Sequence, residues 1–124
     1  MASPFHESIQ ALLDKIEGGV ACVLMGFDGI TLDACAKGGQ ADALPDVQTL
    51  AMELAHLIAQ ARRTLTSLDA GVLEEITLRT DVLTLAVRVL TPDYFLACAI
   101  LPSGAQGRAR YLMRVVAPTL RAEL

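Results

Sequence analysis

Three apolar runs follow one another between residues 73 and 101: Leu73 to Thr80, Val82 to Leu90 and Tyr94 to Leu101, with only Asp81 and Thr91-Pro92-Asp93 between them. Gaps this short cannot carry the crossover that joins parallel neighbours, so the runs read as an antiparallel meander. In the middle run Leu83, Leu85, Val87 and Val89 alternate with Thr84, Ala86, Arg88 and Leu90, which is strand period and not helix period. Everything else in the chain has to be arranged around that sheet.

A hairpin precedes it. Val20 to Met25 is apolar, Phe27-Asp28-Gly29-Ile30 carries a turn signal, and Ile30 to Cys35 alternates apolar with polar. With Asp28-Gly29 as a two-residue turn, Phe27 sits opposite Ile30 and Cys22 opposite Cys35. That register places Ala21, Val23, Met25, Phe27, Ile30, Leu32 and Ala34 on one face, the expected core side. Val20, Cys22, Leu24, Thr31, Asp33 and Cys35 fall on the other.

Helical patterns flank these strands. Ser3 before Pro4 reads as an N-cap, and Phe5, Ile9, Leu12, Leu13 and Ile16 recur at helical spacing up to Gly18-Gly19. After the loop Lys37 to Pro45, Asp46 is the expected N-cap of a second helix running to about Leu68, roughly 30 Å long. Its main apolar stripe is Val47, Leu50, Leu54, Leu57, Ile58, Ala61, Leu65 and Leu68, opposed by a polar stripe through Thr49, Glu53, His56, Gln60, Arg63 and Thr64. Ala51, Met52, Ala55 and Ala59 form a further strip whose small side chains would let another helix approach closely. A last helix, from Ala105 or Arg108 to near Leu124, should bury Leu112, Val115, Val116 and Leu120, with Pro118 loosening its final turn. The order helix, two strands, helix, three strands, helix predicts an α/β fold: one domain over residues 1–124, a five-stranded antiparallel sheet with helices on both faces.

The chemistry of catalysis is missing. His6 and His56 have no neighbouring nucleophile in the pattern, and Gly18-Gly19 and Gly38-Gly39 lack the lysine and hydroxyl of a phosphate loop. Glu74 and Glu75 point to opposite faces of a strand and read as solvated charges. Cys22, Cys35 and Cys98 form no C-x-x-C pair and have no histidine at metal spacing, so buried thiols are expected and a zinc site is not. No enzyme activity, metal or cofactor is expected. A formal charge of −4, with no basic run longer than Arg62-Arg63, argues against nucleic acid. No stretch approaches the length of a membrane span, and the opening Met1-Ala2-Ser3-Pro4-Phe5-His6-Glu7 lacks the order of a signal peptide, which predicts a cytoplasmic protein.

Protein partners remain. Hydrophobic residues make up 53% of the chain against 19% charged, which implies that some apolar surface meets a partner. Phe27 and Ile30, flanking Asp28-Gly29, either staple the end of the core or form an apolar anchor for a partner beside one carboxylate. Arg108, Arg110, Arg114 and Arg121 on the last helix are either a solubilising face or a docking surface for an acidic partner.

Gly26-Phe27-Asp28-Gly29-Ile30 at the first turn, Pro92-Asp93-Tyr94-Phe95-Leu96 entering the last strand, and the element order together resemble the Roadblock/dynein-light-chain family over nearly the whole chain. The ending, Arg110-Tyr111-Leu112-Met113-Arg114-Val115 through Ala117-Pro118 to Arg121-Ala122-Glu123-Leu124, is similar to the MglC type of its bacterial branch, which partners a Ras-like GTPase of gliding motility and polarity. The resemblance implies a profilin-like Roadblock fold and a homodimer joined through the second helices and third strands. Carried onto this sequence, the dimer surface is Ala51, Met52, Ala55 and Ala59 with the strand Glu75 to Thr80, including Ile76 and Leu78. It also implies a non-enzymatic adaptor whose tip, Phe27, Asp28, Gly29 and Ile30, binds a RomR-like response regulator, alongside an MglB-like activating protein, with a place at the cell poles. Whether the GTPase is contacted directly stays open. A chain that stops at Leu124, without the tail an activating subunit uses, leans towards the adaptor. A GTPase-activating Roadblock dimer is the alternative, and a small-molecule sensor is disfavoured by the 4% aromatic content.

Overall fold

The computed structural model describes residues 3–124; Met1 and Ala2, which open the stretch read for a signal peptide, lie outside them. The elements are α1 (His6–Asp14), β1 (Gly19–Gly26), β2 (Thr31–Ala36), a 3-10 turn (Ala41–Ala43), α2 (Leu44–Ser67), β3 (Glu75–Arg79), β4 (Thr84–Val89), β5 (Tyr94–Ile100) and α3 (Gln106–Ala122). The strands form one five-stranded sheet in the order β2-β1-β5-β4-β3 with every neighbouring pair antiparallel, as the short connections require of β1–β2, β3–β4 and β4–β5. α2 lies over one face, across β1 and β2; α1 and α3 cover the other.

The sheet therefore has two cores. Ala21, Val23, Met25, Leu85, Val87, Phe95, Ala97 and Ala99 pack towards α2, while Cys22, Leu24, Leu96, Cys98 and Ile100 pack towards α1 and α3. β1 is buried on both sides, so the expectation that only one face of the hairpin is core is corrected: a central strand with helices above and below has no solvent face. At the junction of α1, β1 and α3 two backbones touch. Gly18, at φ +78°, lies so close to Gly104 that a Cβ on Gly18 would stand 2.6 Å from the Gly104 Cα, so both positions require glycine.

The helix boundaries shift in instructive ways. Ser3 does not cap α1 in the expected manner: its hydroxyl accepts from the Phe5 amide at 3.2 Å and donates to Asp33, and the helix begins at His6. α2 starts at Leu44, propagated from the 3-10 turn, so Asp46 is in the first turn and not at the N-cap. There its carboxylate faces the positive end of the helix dipole. α3 continues through Pro118 to Ala122 and turns Ala109, Met113, Ala117 and Leu120 inward; Leu112 and Val116 pack beside them, but Val115 is 55% exposed and not core.

Cys22 is paired with Cys35 across β1 and β2, as the register predicts, and with Cys98 across β1 and β5. All three thiols are free and buried. A hydrogen bond with Cys98 and burial push the Cys22 thiol well up, and burial pushes Cys35 up to about 12, so both stay protonated and unreactive at neutral pH.

Asp33 anchors α1 to β2. Burial raises its carboxyl pKa, but hydrogen bonds from Ser3, from His6 (Nδ1 to Oδ1, 3.1 Å) and from the Ala34 amide (2.7 Å) outweigh that and hold it below its ordinary value. A depressed carboxyl stabilises the fold above its unfolded pKa and loses that contribution as pH falls through the folded value. Thermal melts of the native protein and Asp33→Asn should therefore differ at neutral pH, begin to converge as pH falls below about 4, the unfolded aspartate range, and coincide only below the lower folded value.

Candidate protein-binding surfaces

The first hairpin ends in a tighter device than a two-residue turn. The Gly29 amide donates to the Gly26 carbonyl and the Gly26 amide to the Ile30 carbonyl, both at 2.9 Å, with Gly29 at φ +86°. This is a three-residue loop, Phe27-Asp28-Gly29, a turn closed by a left-handed glycine and a bulge. The register slips between Leu24 and Met25, so Met25 pairs with Thr31 and Phe27 does not face Ile30. The two-residue turn is thus corrected at the tip, although the pairing from Leu24↔Asp33 down to Ala21↔Ala36 is as expected. Beyond the bulge Thr31 turns to the α2 side, lining a groove with Met25, Gly29 and Met52, and Leu32 is exposed.

Phe27 and Ile30 consequently have different surroundings. The half-buried Phe27 ring packs on Phe95, with centroids 5.0 Å apart, and under the Arg62 guanidinium at 4.5 Å. Arg62 Nη1 donates to the Pro92 carbonyl at 2.9 Å, and the Phe27 amide donates to the Asp93 carbonyl at 2.9 Å, tying the tip to the β4–β5 turn. Ile30 is 63% exposed, and the exposed Asp28 accepts from its amide at 3.0 Å. Beside Phe27 opens a cavity of about 490 Å³ lined by Ala59, Arg62, Arg63, Thr66, Ser67 and Pro92. Neither Arg62 nor Pro92 is legible in the sequence as a tip residue, since their proximity depends on how α2 crosses the sheet.

α2 is rotated relative to the expected assignment. Ala51 and Ala55 are fully buried, with Val47 and Ile58, against their own sheet. They offer no surface to a second chain, and their expected place at a dimer interface is corrected. Small side chains do permit close approach, but the surface that approaches is the protein's own sheet, at β1 and β2. Met52 and Ala59 lie on the flank towards the hairpin, Met52 against Gly29 and Ala59 in the cavity beside Phe27. The opposite flank carries much of the stripe that the sequence pattern assigns to the core. Leu50 is 37%, Leu57 50% and Leu68 71% exposed, with Leu54 only partly buried. Ile76 and Leu78 are half-buried on β3, the sheet edge on the side away from the hairpin.

Other expected features are placed simply. His56 is exposed. Glu75 is not merely solvated: it pairs with Arg110 of α3 and lies 3.5 Å from Arg88 of β4. Among the described residues no group of His, Cys, Asp and Glu side chains is arranged to hold a metal ion, and no helix is long and apolar enough to cross a membrane.

The comparisons with known proteins agree with this architecture. The crystal structure of MglC from Myxococcus xanthus is 35% identical, covering 97% of this chain and 98% of that one, with a TM-score of 0.69. The chain belongs to the Roadblock family, as an MglC-like member. The Roadblock/LC7 domain from Streptomyces avermitilis, 16% identical with 91% of each chain covered and a TM-score of 0.76, shares the fold. So does the gliding protein MglB from Thermus thermophilus, 17% identical over 98% of this chain and 92% of that one, with a TM-score of 0.78. No family model matches the sequence, and no curated protein matches it.

Proposed function

We propose that this Roadblock protein is a homodimeric, non-enzymatic adaptor that regulates a Ras-like GTPase polarity module in the cytoplasm. The observation that carries the reading is the division of its exposed apolar side chains into separate surfaces. Leu50, Leu57 and Leu68 are exposed on the α2 flank opposite the one that carries Met52 and Ala59, while Ile30 stands exposed at the hairpin tip. A flank of exposed leucines and the unpaired β3 edge each suit self-association, in which an edge gains a neighbour and leucines leave water. The tip is on the other side of α2, so dimerisation leaves two tips free for other proteins.

By its likeness to MglC, the partners proposed for the tips are a RomR-like response regulator and an MglB-like activating protein, at the cell poles. A direct GTPase-activating role is the second reading. Its test is single-turnover GTP hydrolysis by the cognate GTPase: the adaptor leaves the rate unchanged alone and alters it only with the activating protein present. Acceleration by this chain alone would reverse the assignment. Pull-down with purified RomR-like and MglB-like proteins completes the test, and failure to retain either would remove the adaptor reading.

A further inference from the structure

We propose that the flank of α3 facing the β3 edge is a docking groove for an acidic polypeptide segment. α3 carries four arginines and no acidic residue in a chain of net charge −4. Arg108 is on the α1 side, where its Nε donates to the Lys15 carbonyl at 3.3 Å. Arg110 and Arg114 lie on the other flank and line a groove of about 350 Å³ with Glu74, Glu75, Arg88 and Tyr111. Arg121 continues the row into the adjoining cavity, which Arg88 and Glu74 also line.

The charges in this groove do not cancel. Glu75 is shared between Arg110 and Arg88, so one carboxylate serves two guanidiniums, and Glu74 is the only other acid lining it. Arg88 has a side chain only 13% exposed, and its Nε, buried, has no hydrogen-bond partner among the described residues. A buried donor without an acceptor is costly and is relieved when a ligand supplies one. Among the described residues Arg114 is held by the Tyr111 ring, 5.5 Å from its centroid, and by no carboxylate, so its fork is open to one from a partner. Tyr111, 53% exposed, adds apolar contact. A phosphate backbone would meet Glu74 and Glu75 at regular intervals, whereas a peptide can place its carboxylates between them.

Where two copies join through β3, as proposed above, their grooves come side by side on the α3 face of the extended sheet. That doubling rests on the dimer reading, while each single groove does not. The test is fluorescence anisotropy with a labelled amphipathic peptide of Glu and Leu in helical repeat, with sedimentation of the same samples. The native protein should bind it, more weakly as salt rises. Arg110→Gln/Arg114→Gln should lose about tenfold or more in affinity, and Arg108→Gln should lose none. No binding by the native protein, equal loss in Arg108→Gln, or tighter binding of single-stranded DNA than of the peptide would each overturn the groove. If the protein sediments as a monomer yet the double variant loses binding, the groove stands and the dimer falls. If it sediments as a dimer and the double variant binds the peptide unchanged, the dimer stands and the groove falls.

Discussion

Ala55→Glu should abolish cooperative folding, whereas Leu57→Glu should leave a folded monomer. The two positions are two residues apart on one helix and differ in what they touch. Ala55 is fully buried in the core that α2 forms with the sheet, so glutamate there introduces volume where none is free and a carboxylate with no partner. Overpacking and unpaired charge together cost several kcal/mol, on the order of the whole stability of a small domain. Leu57 is 50% exposed, and a charge there is solvated in the isolated chain. Its cost falls on association, where the carboxylate would be buried against a second leucine flank. Circular dichroism melts and sedimentation of both variants measure the two effects independently. A folded, monomeric Ala55→Glu would mean that α2 is turned as its sequence pattern suggests and not as the structure has it. A dimeric Leu57→Glu would move the interface away from this flank.

That contrast marks the limit of what hydrophobic patterning specifies. The meander and the first hairpin are legible because period two has no helical alternative and the gaps are too short for crossovers. The Cys22–Cys35 pairing matches the expected register because the bulge between Leu24 and Met25 offsets the extra residue of the loop. α2 is harder because it is apolar on both flanks, and a hydrophobic pattern identifies stripes without saying which one meets the sheet. Size misleads: Leu50, Leu57 and Leu68 have the bulk of core residues, but a helix lying across β1 and β2 packs closest with its own alanines inward. The same substitution of small for large recurs in α3, where Ala109 and Ala117 are buried while Val115 is exposed. At the tip, Gly26-Phe27-Asp28-Gly29 is compatible with a turn of two residues or three. The choice depends on Asp28 bonding the Ile30 amide and on contacts with the β4–β5 turn, which are distant in sequence. Glu75 is unreadable for a related reason, since its arginine partners come from β4 and α3.

Single substitutions at the tip should separate anchor from staple. Phe27→Ala removes a half-buried ring that touches Phe95 and supports Arg62, and should cost about 2 kcal/mol of stability, below the range for a fully buried phenylalanine. Its effect on binding would then be mixed with a loosened tip. Ile30→Ala alters a side chain that is 63% exposed and should change stability by less than about 0.5 kcal/mol. If Ile30 is a partner's anchor, the same change removes area worth about 1.5 to 3 kcal/mol when fully buried in the complex, roughly ten- to a hundredfold in Kd. Gly29→Ala acts through the backbone: at φ +86° an alanine is strained, and its Cβ would meet the Met52 side chain at 3.1 Å. It should therefore lower stability and binding together. The decisive pattern is an Ile30→Ala protein with the native melting temperature and native sedimentation that no longer retains the RomR-like partner in a purified pull-down. Full retention by Ile30→Ala would place the partner's anchor elsewhere, because no other tip substitution removes exposed apolar area without also disturbing the turn that presents it.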